Sequence, residues 1–277
     1  MRRFRWLSLV AVLVLVLGAC SDDDKPKTGG DATDDAGDAG DLNLKEEGVL
    51  TVGSNIAYAP FESLEGGEEP VGFDIDLMTA IAEGMGLEVK FENNPSFDAL
   101  IPSLEDGQYD AVISAMTIND ERKEKIDFSD PYFEADQSLT VNIEETPDLD
   151  SAEELTTEIV IGVEKGTTGA DYAEANFADK VKEIRVFEDS QGSLGDLAAG
   201  RIQAVINDFP VSAYAAETEF KDVLKVVERF TTNEQYGIGV AKGASALREA
   251  INEQLAELRS NGTYDEIFER WFGPAPA

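Results

Sequence analysis

The chain contains no histidine and one cysteine, and its 22 lysines and arginines face 57 aspartates and glutamates. Without histidine there is no imidazole base and no Ser-His or Cys-His nucleophile. With one thiol there is no His/Cys zinc site and no internal disulfide. The formal charge is −35; with Arg2, Arg3 and Arg5 set aside, 19 basic residues stand against 57 acidic ones, or −38. Nucleic acid and anionic membrane surfaces are therefore poor partners. The surplus reads as a solvated surface of the kind suited to high salt. Long apolar runs are also scarce. Beyond the first twenty residues nothing is long and apolar enough to cross a bilayer.

What is present begins with an address. Arg2, Arg3 and Arg5 precede an apolar segment, Leu7 to Ala19, too short to span a membrane. It closes on Leu17-Gly18-Ala19-Cys20, which resembles a bacterial lipobox: a small-residue cleavage site with the thiol directly after it. Residues 1–19 are expected to be a lipoprotein signal peptide, and Cys20 the lipidation site that holds an extracytoplasmic protein to the cell membrane. The alternative is an ordinary signal peptide with an incidental cysteine. Residues 20–41 carry no large apolar side chain. They cannot bury enough surface to offset the entropy of ordering, and read as a flexible acidic linker. Patterned sequence runs from Leu42 to Phe272, enough for one large domain or two lobes.

Two stretches of that region echo each other. "LEDGQYDAVISAMT" (Leu104 to Thr117) and "LAAGRIQAVIND" (Leu197 to Asp208) share a leucine, a glycine three residues on, and Ala-Val-Ile four residues after that. Helical spacing precedes both: Phe97, Leu100, Ile101 and Leu104 in the first, Leu194 and Leu197 in the second. Each unit reads as a helix broken by glycine and followed by a buried strand. Each is also preceded by a strand and turn, "GVLTVGSN" and "EIVIGVEKGTTG", leading into helical segments; Phe73, Leu77, Ile81 and Met85 form the stripe of the first. Two α/β lobes of similar plan follow.

In open α/β sheets ligands bind beyond the carboxyl ends of the strands. That rule selects Asn55, the segment from Ser114 to Thr117, the loop from Glu164 to Gly169, and Asn207-Asp208. With the lobes face to face these would line one cleft. Arg122 lies just past the second loop. One reading makes it a solvated helix-end residue. The other pairs its guanidinium with a carboxylate, while Asp208 accepts from an ammonium. A free amino acid carries both charges on one α-carbon. The "GTTG" loop (Gly166 to Gly169) could add backbone N–H donors or hold a phosphate, but it lacks the lysine and spacing of a P-loop.

Longer motifs carry a resemblance. "YAPFE" (Tyr58 to Glu62), "GFDIDL" (Gly72 to Leu77), "DALIPSL" (Asp98 to Leu104), "TINDERKEKIDFSDPY" (Thr117 to Tyr132), "GTTG", "AVIND", "QYGIGV" (Gln235 to Val240) and "NGTYDEIFERWFG" (Asn261 to Gly273) appear in order. In them the chain resembles family 3 of the extracellular solute-binding proteins, the polar amino acid-binding proteins of ABC importers. The resemblance implies a two-lobed α/β venus-flytrap fold, the type II periplasmic-binding-protein fold, with two hinge strands. Lobe 1 would take residues 42–137 and return over 231–277 with the C-terminal helices; lobe 2 would take 138–230. It implies a monomer without cofactor or metal, delivering a free polar amino acid to permease and ATPase subunits.

The resemblance also implies site roles. Arg122 would grip the α-carboxylate with the N–H groups of Thr117 and Thr168. Asp208 would take the α-ammonium with the Thr117 hydroxyl and the Ala115 carbonyl. Tyr58 and Phe97 would be flat walls, or else core aromatics. Asn55, Glu164 and Asn207 stand at specificity positions and depart from a strict glutamine pocket. Glu164 pointing inward favours arginine or lysine; pointing outward it is one more surface acid. The alternative function is a dehydratase-type enzyme on the same scaffold using Glu164. A sensor ectodomain would need a membrane span after the lobes, and with four residues beyond Gly273 none is expected.

Overall fold

A computed structural model of the protein describes residues 42–274. The expected signal peptide, the linker and Cys20 lie outside the described residues. The elements begin with β1 (Val49–Ser54), β2 (Ser63–Glu65), β3 (Glu69–Val71), α1 (Phe73–Gly84), β4 (Glu88–Asn93), α2 (Leu100–Glu105) and β5 (Ala111–Val112). Next come α3 (Asp120–Lys125), β6 (Ile126–Phe128), β7 (Phe133–Asn142), β8 (Val160–Glu164), α4 (Thr168–Phe177) and β9 (Glu183–Phe187). The last are α5 (Ser190–Ala198), β10 (Ala204–Asp208), α6 (Phe209–Glu217), β11 (Leu224–Tyr236), β12 (Gly239–Ala241), α7 (Ser245–Asn261) and α8 (Thr263–Phe272).

The fold is two-lobed α/β, one five-stranded sheet to each lobe. The first runs β4-β1-β5-β12-β6 and the second β11-β7-β10-β8-β9. In each, three strands are parallel (β4, β1, β5 and β9, β8, β10) and an antiparallel strand closes on the third. The sequence echo therefore matches equivalent places in two similar sheets. Its shared glycine has a physical reason: Gly107 and Gly200 sit at φ 71° and 70°, one residue past the caps of α2 and α5. Matching bonds close both ends: Gly107 N–H to Leu104 O and Gln108 N–H to Ser103 O, then Gly200 N–H to Leu197 O and Arg201 N–H to Asp196 O. This is one Schellman cap used twice, and only glycine enters its left-handed position at little cost.

The central strands β8 and β10 are buried along their whole length, as parallel strands covered on both faces must be. In the first lobe Phe73, Leu77 and Ile81 of α1 and Leu247, Ile251, Leu255 and Leu258 of α7 repeat at helical spacing and close on β1. Met85, expected to extend the α1 stripe, is the C-cap residue and half-buried. β7 and β11 pair antiparallel and connect the lobes. Phe133, Ala135 and Tyr236 pack in the first core, whereas Leu139, Val141 and Phe230 pack in the second. Among the described residues no helix is long and apolar enough to cross a membrane.

Candidate functional site

A cavity of about 310 Å³ lies between the lobes, lined by Asn55, Tyr58, Phe97, Ser114, Ala115, Thr117, Arg122, Glu164, Thr167, Thr168 and Asp208. Asn55 follows β1, the Ser114–Thr117 segment follows β5, and Glu164 and Asp208 end β8 and β10. Four parallel strands thus deliver their carboxyl ends to one space, where backbone groups and side chains are left over by the sheet. Thr168 opens α4, so the first helical N–H groups stand at the wall.

Arg122 is aimed by local chemistry. Asn119 caps α3, its Oδ1 accepting from the Arg122 N–H at 2.9 Å. The guanidinium donates to Thr117 O at 2.7 Å and to Gly166 O at 3.1 Å, the second bond crossing between lobes. Its central carbon lies 5.2 Å from the Phe97 ring centroid. Among the described residues it forms no ion pair. Burial pulls its pKa down, against the attraction of Asp208 and Glu234. A guanidinium stays charged regardless, so a buried, unpaired fork with donors to spare is suited to a carboxylate.

Asp208 is 5% exposed. Its Oδ1 accepts from Gln137 Nε2 at 2.5 Å and its Oδ2 from the Tyr236 hydroxyl. Burial, then the charge of Glu234, raises its pKa to about 6, against the bonds from Tyr236 and Gln137. Glu164 is 3% exposed and faces the cavity. Burial first, then Asp189 and Asp208, pushes its carboxyl up to about 8 despite a bond from the Ser190 N–H. A carboxyl so placed gains most from a cation.

Asn207 departs from expectation: it is not among the residues lining the cavity. Successive strand residues face opposite sides, so with Asp208 turned in, Asn207 turns away. Its Oδ1 accepts from the Tyr58 hydroxyl at 2.8 Å and its Nδ2 donates to Ser190 Oγ at 3.1 Å. Asn55 is buried, and its Nδ2 donates to Asn94 O at 2.8 Å. Lys165 and Asp98 add a cross-lobe ion pair of 2.9 Å at half-exposed positions.

Beneath the floor lies a carboxyl pair that sequence reasoning passed over. Asp74 Oδ2 accepts from the Ala115 N–H at 2.8 Å and the Tyr132 hydroxyl at 2.7 Å. Glu62 Oε1 accepts from Ser114 Oγ at 2.7 Å, and Ser114 Oγ in turn accepts from the Asn55 N–H at 3.0 Å. Ala115 is held at φ 44°, a left-handed conformation unusual for a residue with a Cβ. Burial, then Asp74, pushes Glu62 well above the carboxylate range. Burial takes Asp74 to about 7, against bonds from Ala115, Tyr132 and Glu62. Glutamate and aspartate inside the apolar "YAPFE" and "GFDIDL" stretches were the available signal.

The bacterial extracellular solute-binding proteins, family 3, match over residues 50–274. The chain belongs to that family. The solute-binding protein is 36% identical over 234 residues to the ABC transporter arginine-binding protein 1 of Escherichia coli K12, covering 80% of this chain and 90% of that one. It is 32% identical over 231 residues to the histidine-binding periplasmic protein of the same organism, covering 80% and 87%. Its fold is similar to that of an ancestral arginine-binding protein bound to arginine, at a TM-score of 0.76 and 38% identity over 82% of this chain and 99% of that one. These relatives are named as binding proteins, not enzymes, and they support a binding role over the dehydratase alternative.

Proposed function

We propose that this solute-binding protein captures a free amino acid between its lobes and delivers it to the permease and ATPase subunits of an ABC importer. Arginine or lysine is preferred, with glutamine or another polar amino acid next. In this reading Arg122 and the N–H groups of Thr117 and Thr168 hold the α-carboxylate. Asp208, the Thr117 hydroxyl and the Ala115 carbonyl hold the α-ammonium, and Tyr58 and Phe97 flank the side chain. Glu164 meets the side-chain cation, with Asn55 nearby. Lobe 1 comprises 42–137 and 231–277, lobe 2 comprises 138–230, and the protein works as a monomer tethered outside the cell membrane by lipid on Cys20.

One observation carries the cationic preference: a buried Glu164 turned into the cavity that also holds Arg122 and Asp208. The arginine-binding relatives support it. Thermal shift against the twenty amino acids tests it, with mass spectrometry of whatever copurifies. Arginine or lysine should stabilise the protein most, aspartate and glutamate least. Strongest stabilisation by glutamate would sink the pocket reading.

A further inference from the structure

Glu234 is not part of the cavity lining, yet its carboxylate reaches the site from behind. Between Phe230 and Glu234 the ladder of β11 with β7 shifts register, and Asn233 sits at φ 54°. Asp136 Oδ1 pins this bulge by accepting from the N–H groups of Thr232 and Asn233 at 2.9 and 3.1 Å. Beyond it, Glu234 Oε2 accepts from the Thr117 hydroxyl at 2.8 Å and from the Thr168 hydroxyl at 2.6 Å. Its Oε1 accepts from Gln137 Nε2 at 3.1 Å. Thr117 comes from one lobe and Thr168 from the other.

We propose that Glu234 is a positioning residue for recognition of the ligand's α-ammonium, because it takes the one proton of each threonine hydroxyl. A hydroxyl has one hydrogen to donate and two lone pairs, and a carboxylate oxygen only accepts. With both protons drawn to Oε2, the hydroxyls of Thr117 and Thr168 offer the cavity lone pairs alone. Gln137 is fixed by the same logic. The hydrogens of its Nε2 go to Asp208 Oδ1 and Glu234 Oε1, and a flipped amide would set its oxygen against both carboxylates. Asp208 within the cavity and Glu234 behind it thus orient the groups between them to accept. An ammonium brings three donors and a positive charge to these acceptors; a hydroxyl brings one donor and no charge, and a carboxylate brings none.

Glu234→Gln preserves shape and breaks this polarity. If the new amide oxygen faces the threonines, its nitrogen meets the nitrogen of Gln137. If the nitrogen faces the threonines, it donates to them and turns their protons toward the cavity.

This inference rests on reading the cavity as an amino acid site. The test is calorimetric titration of wild type, Glu234→Gln and Glu234→Ala with L-arginine and with its 2-hydroxy analogue, where a hydroxyl replaces the α-ammonium. Wild type should prefer the amine. In the variants arginine should weaken tenfold or more and the analogue less than threefold, so the preference collapses. Glu234→Ala serves in place of Glu234→Gln if the latter does not fold, and melting curves establish which variants are native. Equal weakening of both compounds, or a preference kept in a folded variant, overturns the role of Glu234 and leaves the site reading standing. A wild type that binds neither compound overturns both.

Discussion

The Tyr58 hydroxyl donates to Asn207 Oδ1 at 2.8 Å, tying a ring on the cavity wall of one lobe to a residue of the other that faces away from the cavity. The bond forms only when the lobes are together. Tyr58→Phe keeps the wall and removes the donor. A buried neutral hydrogen bond contributes about 1 kcal/mol, so ligand affinity should fall roughly fivefold. Calorimetric titration checks this, and an unchanged affinity would make the bond incidental to closure.

Arg122→Ala should nearly abolish binding while leaving the circular dichroism spectrum native. Removing one partner of a buried charge pair costs about 3–5 kcal/mol, a loss on the order of 10² to 10³ or more in affinity. Asp208→Asn should weaken amino acids far more than analogues lacking the amine. A loss under tenfold for Arg122→Ala would remove that residue from the site.

Arginine affinity should rise with pH up to about 8 and then level off. Glu164 holds its proton to about 8 in the free protein and meets a cation best when ionised, so binding releases a proton below that pH. Affinity should change by roughly tenfold per pH unit at the steepest, and Asp208, at about 6, adds a further loss in acid. Glu164→Gln should erase the change between pH 7 and 8, keep the acid limb, and shift preference toward glutamine. Titrations in buffers of different ionisation enthalpy would detect the released proton.

Ligand-free stability should fall as pH rises from about 4 to 7. Asp74 keeps its proton to about 7 in the fold, and Glu62 is pushed the same way, whereas both ionise near 4 when unfolded. The native state then holds more protons than the unfolded one, and stability drops by on the order of 1 kcal/mol per pH unit. Asp74→Asn leaves an acceptor for Ala115 and Tyr132 but cannot titrate, so urea denaturation across pH 5 to 8 should show a flatter slope. An unchanged slope would place the proton elsewhere.

Membrane attachment should require Cys20. A Cys20→Ser protein should leave the detergent phase on phase separation; if it stays there, lipid is not the tether.

Whatever local rules control was legible in the order of the amino acids. Helical stripes, glycine caps and strand-turn-helix order depend on residues a few positions apart, which is why two α/β lobes and the loops at their strand ends could be read directly. The absence of histidine and the lone cysteine limited the chemistry by count. Facing and partnership needed the tertiary structure. Asn207 and Asp208 are adjacent on β10, and strand register alone decides that Asp208 turns in and Asn207 away. Glu164 is one acid among 57 until β8 places it at the cavity. Glu234 meets Thr117 and Thr168 only because a bulge on β11, pinned by Asp136 about a hundred residues earlier in the chain, aims it between lobes. No spacing in the sequence encodes such contacts, since they arise where separately patterned elements are brought together by burying their apolar faces.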